Sequence, residues 1–286
     1  MNAARVAVVG SANLDIVPRV DRRPAAGETV LGRAMIETPG GKGANQALSC
    51  ARVAPTHFIG SIGRDSAGRR VETALREADV DVTHLTHIDT PTGRAYVTLT
   101  PDGENSIVVM GLANSHLSDE VVLGALEASR PTLILAQLEV PKVVTEAVLE
   151  WTRQHDVRLV FNPSPADPQI LANAVHADPL IVNEHEAAQI LQSDSADVGT
   201  LATELSKRFR SVVVTAGSRG AFVGVGGNVT RVQTSTVTAV ADTTGAGDAF
   251  AGTLAAHLAL GLELVDAAKL ANAEAGRLVQ LERTSR

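Results

Sequence analysis

The segment 242–250, with the sequence DTTGAGDAF, has the residue types of a phosphate-binding turn. Gly245 and Gly247 allow successive backbone amides to turn towards one point, and the pattern predicts a helix that begins directly after them. Converging N–H groups and the positive end of a helix together bind anions such as phosphate. We therefore predict that this segment binds a phosphate group.

Asp248 follows these glycines, in the predicted first turn of the helix. One interpretation is N-terminal capping, a common role for Asp at such a position. A carboxylate beside a bound phosphate would repel it, which favours a second interpretation, a general base for an alcohol that attacks the phosphoryl group. We expect the helix N-terminus to lower the pKa of Asp248, which still allows it to accept the proton late in the reaction.

Asn13 and Asp15 lie just beyond a predicted strand, where α/β sheets bind their ligands. Amide and carboxylate groups can share the paired hydroxyls of a sugar, and Asn45, near the start of a predicted helix, offers the same chemistry. The alternatives are an Asx turn for Asp15 and a helix cap for Asn45. Three such groups beside glycine-rich turns favour a polyol site.

Two common nucleotide-binding motifs are not matched. Residues 40–45, GGKGAN, lack the spacing and the Lys-Ser/Thr pair of a Walker A loop. Residues 10–15, GSANLD, lack the second and third glycines of a dinucleotide fingerprint. The sequence therefore supports neither a P-loop ATPase nor a standard NAD enzyme.

The elements that must position these residues alternate between strands and helices along most of the chain. Predicted strands of the main sheet span 6–9, 57–59, 133–135, 159–161, 180–182 and 212–215. Predicted helices span 43–53, 65–78, 142–155, 184–191, 200–209, 246–260 and 265–279, and a late hairpin spans 222–225 and 229–233. This alternation predicts an α/β protein with a mainly parallel sheet covered by helices.

A second, smaller sheet is predicted outside this body. Its strands are expected at 16–20, 29–31 and 35–38 and in a hairpin of 94–100 and 106–110 around a turn at 101–103. Together, 15–38 and 94–110 would form a lid on a single domain that spans residues 1–286. The exposed edges of such a sheet favour pairing with a second copy of the chain.

The composition excludes several classes of protein. A net charge of -7 argues against nucleic-acid binding, and 44% hydrophobic residues among 286 indicate a globular core. The single cysteine, Cys50, cannot form an internal disulfide and fits a reducing compartment. No signal-peptide pattern or apolar stretch of membrane-spanning length is present, so we expect a cytoplasmic protein without a membrane partner.

From residue 6 to about residue 272 the chain resembles the ribokinase/phosphofructokinase-B-type sugar kinases. The matching segments are GSANLD at 10–15, GGKGANQA at 40–47, GEN at 103–105, QLE at 137–139, NEHE at 183–186, TAGSRG at 215–220 and DTTGAGDAF at 242–250. The last segment is highly specific to the family. The resemblance implies a three-layer α/β/α body with a small β-sheet lid, often shared between two subunits.

The resemblance also assigns site residues. A pentose would contact Asn13, Asp15, Gly41, Lys42, Asn45 and Glu139. Asp248 would take the proton of the primary hydroxyl, and the amides of Gly245, Ala246 and Gly247 would stabilise the charge on the transferring phosphoryl group. ATP would contact Asn183, Thr215, Gly217, Ser218, Gly220, Gly247 and Asn272.

For metals, the resemblance implies Mg²⁺ arranged by Glu186 through water, and a potassium-type cation at Asp242 and Thr244. Relatives supply further cation ligands from a glycine-containing loop after the last helix, whereas residues 278–286 here contain no glycine. A weak response to potassium is therefore an open alternative.

The function that the resemblance implies is ATP-dependent phosphorylation of D-ribose at its 5-hydroxyl. One alternative is a related kinase for a nucleoside or another sugar. Another is a sugar-binding regulator that has lost catalysis, which would bind ribose without producing ADP.

Overall fold

The computed structural model describes residues 5–100, 105–234, 237 and 239–281. The strands in these ranges are β1 (Val6–Val9), β2 (Asn13–Val20), β3 (Gly32–Gly40), β4 (Thr56–Gly63), β5 (Leu85–Ile88), β6 (Gly93–Leu99), β7 (Asn105–Met110), β8 (Leu133–Gln137), β9 (Arg158–Asn162), β10 (Leu180–Asn183), β11 (Val212–Thr215), β12 (Ala221–Val225) and β13 (Asn228–Val232). The helices are α1 (Lys42–Ala51), α2 (Ser66–Glu77), α3 (Asp119–Ser129), α4 (Lys142–Gln154), α5 (Pro168–Asn173), α6 (Glu184–Leu191), α7 (Val198–Ser206), α8 (Ala246–Ala259) and α9 (Leu264–Leu278).

The main sheet has nine described strands in the order β13-β12-β11-β10-β9-β8-β1-β4-β5. All neighbours from β11 to β5 are parallel, and only β12 and β13 run antiparallel to their neighbours. A parallel sheet requires crossover connections, which here are mostly helices, and this agrees with the alternation seen in the sequence.

The main sheet is buried on both faces. In β1, Val6 and Val8 pack into one hydrophobic cluster with α1, α2, α8 and α9, whereas Ala7 and Val9 pack into another with α3 to α7. This division follows from the period of two in a strand, which sends successive side chains to opposite faces. The predicted three-layer α/β/α class is confirmed.

The second sheet, called the lid sheet below, has the order β3-β2-β6-β7. β2 pairs antiparallel with β3 and parallel with β6, and β6 pairs antiparallel with β7. Val17, Ala95 and Val97 form its small hydrophobic core. Because β2 follows β1 after three residues, the lid sheet begins at the carboxyl end of β1, a strand inside the main sheet.

The structure differs from the sequence-based expectations at several elements. The strand expected at 29–31 is wrong, because these residues belong to the connection that leads into β3, and Leu31 is 90% exposed. The chain also contains β5, α3 and α5, which were not predicted. The helix α3 does have a sequence signal, since the Ser118 hydroxyl accepts a hydrogen bond from the Val121 amide as an N-cap. The turn expected at 101–103 lies outside the described residues.

Candidate active site

The parallel strands bring most of the predicted site residues to one edge of the main sheet. β11, β10, β9, β8 and β1 are consecutive neighbours, and their carboxyl ends carry polar residues in or directly after each strand. In an open α/β sheet this edge is where ligands bind.

The turn that begins α1 packs directly against the end of β1. Gly41 has a φ of 89°, and a Cβ atom there would lie 2.9 Å from the Asn13 nitrogen. A Cβ atom on Gly43 would lie 2.6 Å from the carbonyl carbon of Gly10. Only glycine permits this close approach, which places Lys42 and Asn45 at the edge of the sheet.

Asp248 lies between α8 and α1. Its two carboxylate oxygens accept hydrogen bonds from Asn45 Nδ2 and from Gln46 Nε2, each at 3.0 Å. The N-cap of α8 is Gly245, with a φ of 78°, and no side chain caps this helix. The capping interpretation of Asp248 is therefore not supported, because both oxygens are directed at α1.

A glycine allows α8 to approach α1 at this point. Gly252 lies one turn after Asp248 in α8, and a Cβ atom on it would overlap the carbonyl oxygen of Gln46 and lie 2.9 Å from Ser49 Cβ. The absence of a side chain at Gly252 thus lets the two helices pack closely enough for Asp248 to reach the α1 side chains.

Burial raises the pKa of Asp248 above the ordinary value of an aspartate. The charge of Lys42 and the hydrogen bonds from Asn45 and Gln46 act in the opposite direction, and the negative charge of Glu139 adds to the rise. The expectation of a lowered pKa is therefore wrong in direction. Removal of water from the carboxylate outweighs the favourable groups around it, which makes Asp248 a stronger base than the sequence suggested.

Glu139 is held beside the same turn. Its Oε2 accepts hydrogen bonds from the Ser11 hydroxyl at 2.6 Å and from the Lys42 backbone amide at 3.2 Å. The side chain is partly buried, so one carboxylate oxygen is fixed by the protein and the group is kept at the edge of the sheet.

Asn13 and Asp15 are buried residues of β2, at the junction of the body and the lid sheet. Asn13 Oδ1 accepts a hydrogen bond from Asn114 Nδ2 at 2.7 Å, and the Asp15 carboxylate packs where a Cβ atom on Gly40 would overlap it. Asp15 pairs with Thr38 in the β2–β3 ladder. It is therefore a strand residue, and the Asx-turn alternative is wrong.

Asp248 also lines a cavity of about 160 Å³. Its lining residues include Lys42, Asn162, Ser164, Asn183, Glu186, Thr215, Gly245, Gly247 and Asp248. The cavity thus brings together the glycine turn before α8, the ends of β9, β10 and β11, and the start of α6. These amides and polar side chains suit a phosphate chain.

Asn183 and Glu186 form a capping box at the start of α6. Asn183 Oδ1 accepts from the Glu186 amide at 2.8 Å, and Glu186 Oε2 accepts from the Asn183 amide at 2.9 Å. Glu184 instead forms an ion pair with Arg219. Asn183 and Glu186 therefore cap α6 and also line the cavity.

The remaining predicted nucleotide contacts lie further out. Gly217 and Ser218 are exposed in the short turn after β11, and Gly220 is buried against Val232. Asn272 is buried on α9, and its Nδ2 donates to the Val232 carbonyl at 3.2 Å. None of these four predicted residues is among those that line the 160 Å³ cavity, and their nucleotide contacts stay predictions.

The loop before α8 contains the residues predicted to bind a monovalent cation. The Thr244 amide donates to Asp242 Oδ1 at 2.8 Å, and the Ala241 amide donates to the Val279 carbonyl at 2.8 Å. The loop is thereby attached to the end of α9. Within the described ranges, no group of three or more His, Cys, Asp or Glu side chains is arranged to hold a metal.

Three amide side chains behind Asp248, two of them buried, were not predicted from the sequence. Gln46 Nε2 also donates to Asn162 Oδ1 at 3.1 Å, and Gln46 Oε1 accepts from Gln137 Nε2 at 2.6 Å. Gln137 and Asn162 are the last residues of β8 and β9. The sequence signal for Gln137 and Asn162 is a polar residue at the end of an otherwise apolar strand.

A carboxylate that contacts a cluster of polar side chains and also lines a polar cavity is the arrangement expected of an alcohol phosphotransferase. Comparisons with known proteins agree with this class. The model of the pfkB family carbohydrate kinases matches residues 3–286. The chain belongs to this family.

Individual relatives are similar over almost the whole chain. A ribokinase of Bacillus subtilis is 36% identical over 270 residues, which cover 93% of this chain and 90% of that protein. The solved ribokinase of Cryptococcus neoformans in complex with ADP has a TM-score of 0.87 at 32% identity, with 99% of this chain and 95% of that chain covered. The Arabidopsis thaliana ribokinase complexed with ribose and ATP has a TM-score of 0.85 at 29% identity, with 99% and 94% covered.

Among the residues that the structure describes, no helix is long and apolar enough to cross a lipid bilayer.

Proposed function

We propose that this protein is an ATP-dependent kinase that transfers the γ-phosphoryl group of ATP to the 5-hydroxyl of D-ribose, giving ribose 5-phosphate and ADP. The observation that carries the proposal is the position of Asp248, between the acceptor residues of α1 and β2 and the phosphate cavity. The similarity to ribokinases, one of them solved with ribose and ATP, supports the same substrates.

The acceptor sugar would bind where the body meets the lid sheet. Asn13, Asp15, Asn45 and Glu139 offer amide and carboxylate groups that hydrogen-bond to sugar hydroxyls, and the turn at Gly41 and Lys42 supplies backbone contacts in the same place. Each of these groups can exchange hydrogen bonds with sugar hydroxyls and none of them with an apolar surface, which favours a polyol over an apolar alcohol.

Asp248 would accept the proton of the attacking hydroxyl. Its raised pKa, caused mainly by burial, strengthens it as a base, while Asn45 and Gln46 favour its ionised form. A positioned base of this kind contributes about 10²–10⁴-fold to a rate.

The transferring phosphoryl group would lie at the start of α8. The first amides of a helix have no carbonyl partner inside the helix, and Gly245 and Gly247 line the cavity. The Ala246 amide donates to the Thr243 carbonyl at 3.2 Å, so of the three predicted amides it is the one already engaged within the loop. Asn183 and Thr215 would contact the other phosphates of ATP.

The residues present fit magnesium bound through the nucleotide. Mg²⁺ is commonly held by one or two carboxylates, waters and substrate phosphates. Glu186 lines the cavity and uses only Oε2 in its capping box, which leaves Oε1 for a magnesium-bound water. When bound, the ion would neutralise charge on the β- and γ-phosphates.

A potassium-type cation would bind beside the α8 turn. Asp242 and Thr244 offer oxygen ligands of the kind that hard cations prefer. The Thr244 amide donates to Asp242 Oδ1, which orients this carboxylate within the loop.

We also propose a homodimer formed through the lid sheet. Tyr96 and Val108 are opposite each other in the β6–β7 ladder and are 42% and 62% exposed, so they share one outward face. Met35 on the edge strand β3 is 63% exposed. Exposed apolar residues on a small sheet with open edges favour pairing with a second copy. Light scattering should give twice the chain mass, and Val108→Glu should shift it towards the monomer.

The free thiol of the single cysteine is the basis for proposing a cytoplasmic location. Cys50 is buried and free, and burial raises the pKa of its thiol to about 12. An inert, unpaired thiol is in keeping with a reducing compartment.

The test of the function is ADP release from ATP and Mg²⁺ with a panel of acceptors, measured with and without potassium. The panel contains ribose, deoxyribose, fructose phosphates, adenosine, inosine and uridine. We expect the largest kcat/KM with ribose, with the phosphate on C5 by ³¹P NMR. A larger kcat/KM with a nucleoside, or ribose binding without ADP release, would contradict the proposal.

A further inference from the structure

Gln46 connects Asp248 to the ends of two strands of the main sheet. Its amide contacts Asp248 Oδ1 at 3.0 Å, Asn162 Oδ1 at 3.1 Å and Gln137 Nε2 at 2.6 Å. We propose that Gln46 is a positioning residue, which holds the carboxylate of Asp248 in the orientation that a general base requires. The role in catalysis rests on the proposed function, whereas the arrangement itself does not.

The direction of these hydrogen bonds is set by Asn162. Its Nδ2 donates to the Ile181 carbonyl at 3.0 Å, which turns Asn162 Oδ1 towards Gln46. Gln46 Nε2 donates to that oxygen and to Asp248, so Gln46 Oε1 faces Gln137 Nε2 and accepts from it. Gln137 Oε1 is buried and has no hydrogen-bond partner among the described residues. Both N–H groups of Gln46 are therefore used, one on Asp248 and one on Asn162. A carboxylate, which only accepts, matches this polarity.

The position of Gln46 also makes it rigid. Gln46 and Gln137 are completely buried, so bulk water does not compete for their hydrogen bonds. Hydrogen bonds in a buried network hold a side chain in place, because no water is available to replace them. Asn45, which contacts the other oxygen of Asp248, is by contrast partly exposed and is expected to contact the sugar. The fixed contact of Asp248 is thus Gln46.

Other charged groups act on Asp248 from each neighbouring element. Lys42 on α1 favours its ionised form, and Glu139 after β8 disfavours it. Glu186 on α6 lines the same cavity. These groups are unchanged in a Gln46 variant, so a change in the titration of Asp248 reports the loss of the amide donor.

The main variant is Gln46→Met, which keeps the length of the side chain and removes its donor. We expect kcat with ribose to fall about 10–100-fold, because the base loses its fixed orientation. The KM values for ribose and ATP should stay near those of the wild type. The acid limb of the kcat profile should move to higher pH, because a lost hydrogen bond to the carboxylate favours its protonated form. Ser129→Ala is the control, since it removes one buried hydroxyl that donates to the Ala125 carbonyl within α3, on the other face of the main sheet.

A milder variant tests the connection to the strand. Gln137→Met removes the donor that orients Gln46, and it should lower kcat and shift the acid limb in the same direction by a smaller amount. In the double variant the effects should be less than additive, because both substitutions act through one contact. This variant also serves if Gln46→Met does not fold.

Carboxyl ¹³C titration, with the Asp248 signal assigned by Asp248→Asn, gives a readout that does not depend on activity. The Asp248 pKa should be higher in Gln46→Met, or in Gln137→Met, than in the wild type. An unchanged pKa with an unchanged acid limb, or additive effects in the double variant, would overturn the proposal. If the wild type does not phosphorylate ribose, the proposed function fails, while this titration still decides the role of Gln46.

Discussion

Asn45 Nδ2 lies 3.0 Å from Asp248 Oδ2, a hydrogen bond between residues 203 positions apart in the sequence. It joins the first turn of α1, which carries predicted sugar contacts, to the first turn of α8, which carries the predicted base. The predicted sugar contacts and the predicted base are therefore adjacent in the fold. A hydroxyl bound beside Asn45 would be delivered next to the carboxylate that takes its proton.

Replacement of Asp248, the proposed base, should strongly reduce turnover and leave nucleotide binding unchanged. For Asp248→Asn we expect kcat to fall by about 10²–10⁴-fold, because the amide cannot accept the proton. The Kd for ATP, measured by calorimetry, should stay near that of the wild type. Asp266→Asn is the matched control, since Asp266 is an exposed residue in the first turn of α9. Wild-type turnover by Asp248→Asn would show that another group is the base.

Replacement of Glu139 should weaken the binding of the sugar rather than the binding of the nucleotide. Glu139→Gln replaces the carboxylate that accepts from Ser11 and from the Lys42 amide. Loss of a charged hydrogen-bond acceptor to a sugar hydroxyl should raise the KM for ribose by about 10- to 100-fold. Initial rates at saturating ATP measure this effect, and Glu146→Gln, an exposed residue of α4, is the control. An equal rise in the KM for ATP would place Glu139 outside the sugar site.

Two helical glycines should respond oppositely to alanine. A Cβ atom on Gly252 would overlap the Gln46 carbonyl, whereas a Cβ atom on Gly124 in α3 meets nothing within 4 Å. Gly252→Ala should therefore lower the free energy of unfolding by about 1–3 kcal/mol and reduce kcat, because α8 is pushed away from α1. Gly124→Ala should raise the free energy of unfolding by about 0.5–1 kcal/mol, because alanine has the higher helix propensity. Urea unfolding measures both values, and a stabilised Gly252→Ala would contradict the close packing.

The lid sheet should be anchored by an ionised Asp65. Burial raises the pKa of Asp65, but hydrogen bonds from Thr92, Gly68 and Arg94 outweigh it and lower the pKa to about 2. Asp65 caps α2, and Thr92 and Arg94 lie at the start of β6, so this carboxylate joins the body to the lid sheet.

At neutral pH, Asp65→Ala should lower the free energy of unfolding by about 1–2 kcal/mol. A folded-state pKa below the unfolded value near 3.8 means that the stabilisation is present above that value and is lost as the pH falls towards about 2. The difference between wild type and variant in urea unfolding should therefore shrink across this interval. A difference that grows on acidification would mean that Asp65 is not stabilised as the anion.

The local parts of the fold and site could be predicted from the sequence. The strand Val6–Val9 follows from a short apolar run, and the helix that begins at Ala246 follows from the glycines around its start. Both elements begin where the sequence predicts. The lining of the phosphate cavity by Gly247 follows from the same local pattern.

The tertiary parts could not be predicted in this way. That Gln137 and Asn162 both reach Gln46 depends on β8 and β9 being neighbours, which no local pattern specifies. The raised pKa of Asp248 depends on how closely α8 packs against α1, because burial there outweighs the effects of Lys42, Asn45 and Gln46.

The central claim is that Asp248 takes the proton of the ribose 5-hydroxyl. Its most direct test is a crystal structure of the protein with ribose and a non-hydrolysable ATP analogue. We predict that the 5-hydroxyl oxygen lies within about 2.6–3.2 Å of an Asp248 carboxylate oxygen, with the γ-phosphate at the start of α8. An Asp248 side chain directed away from both ligands would contradict the account.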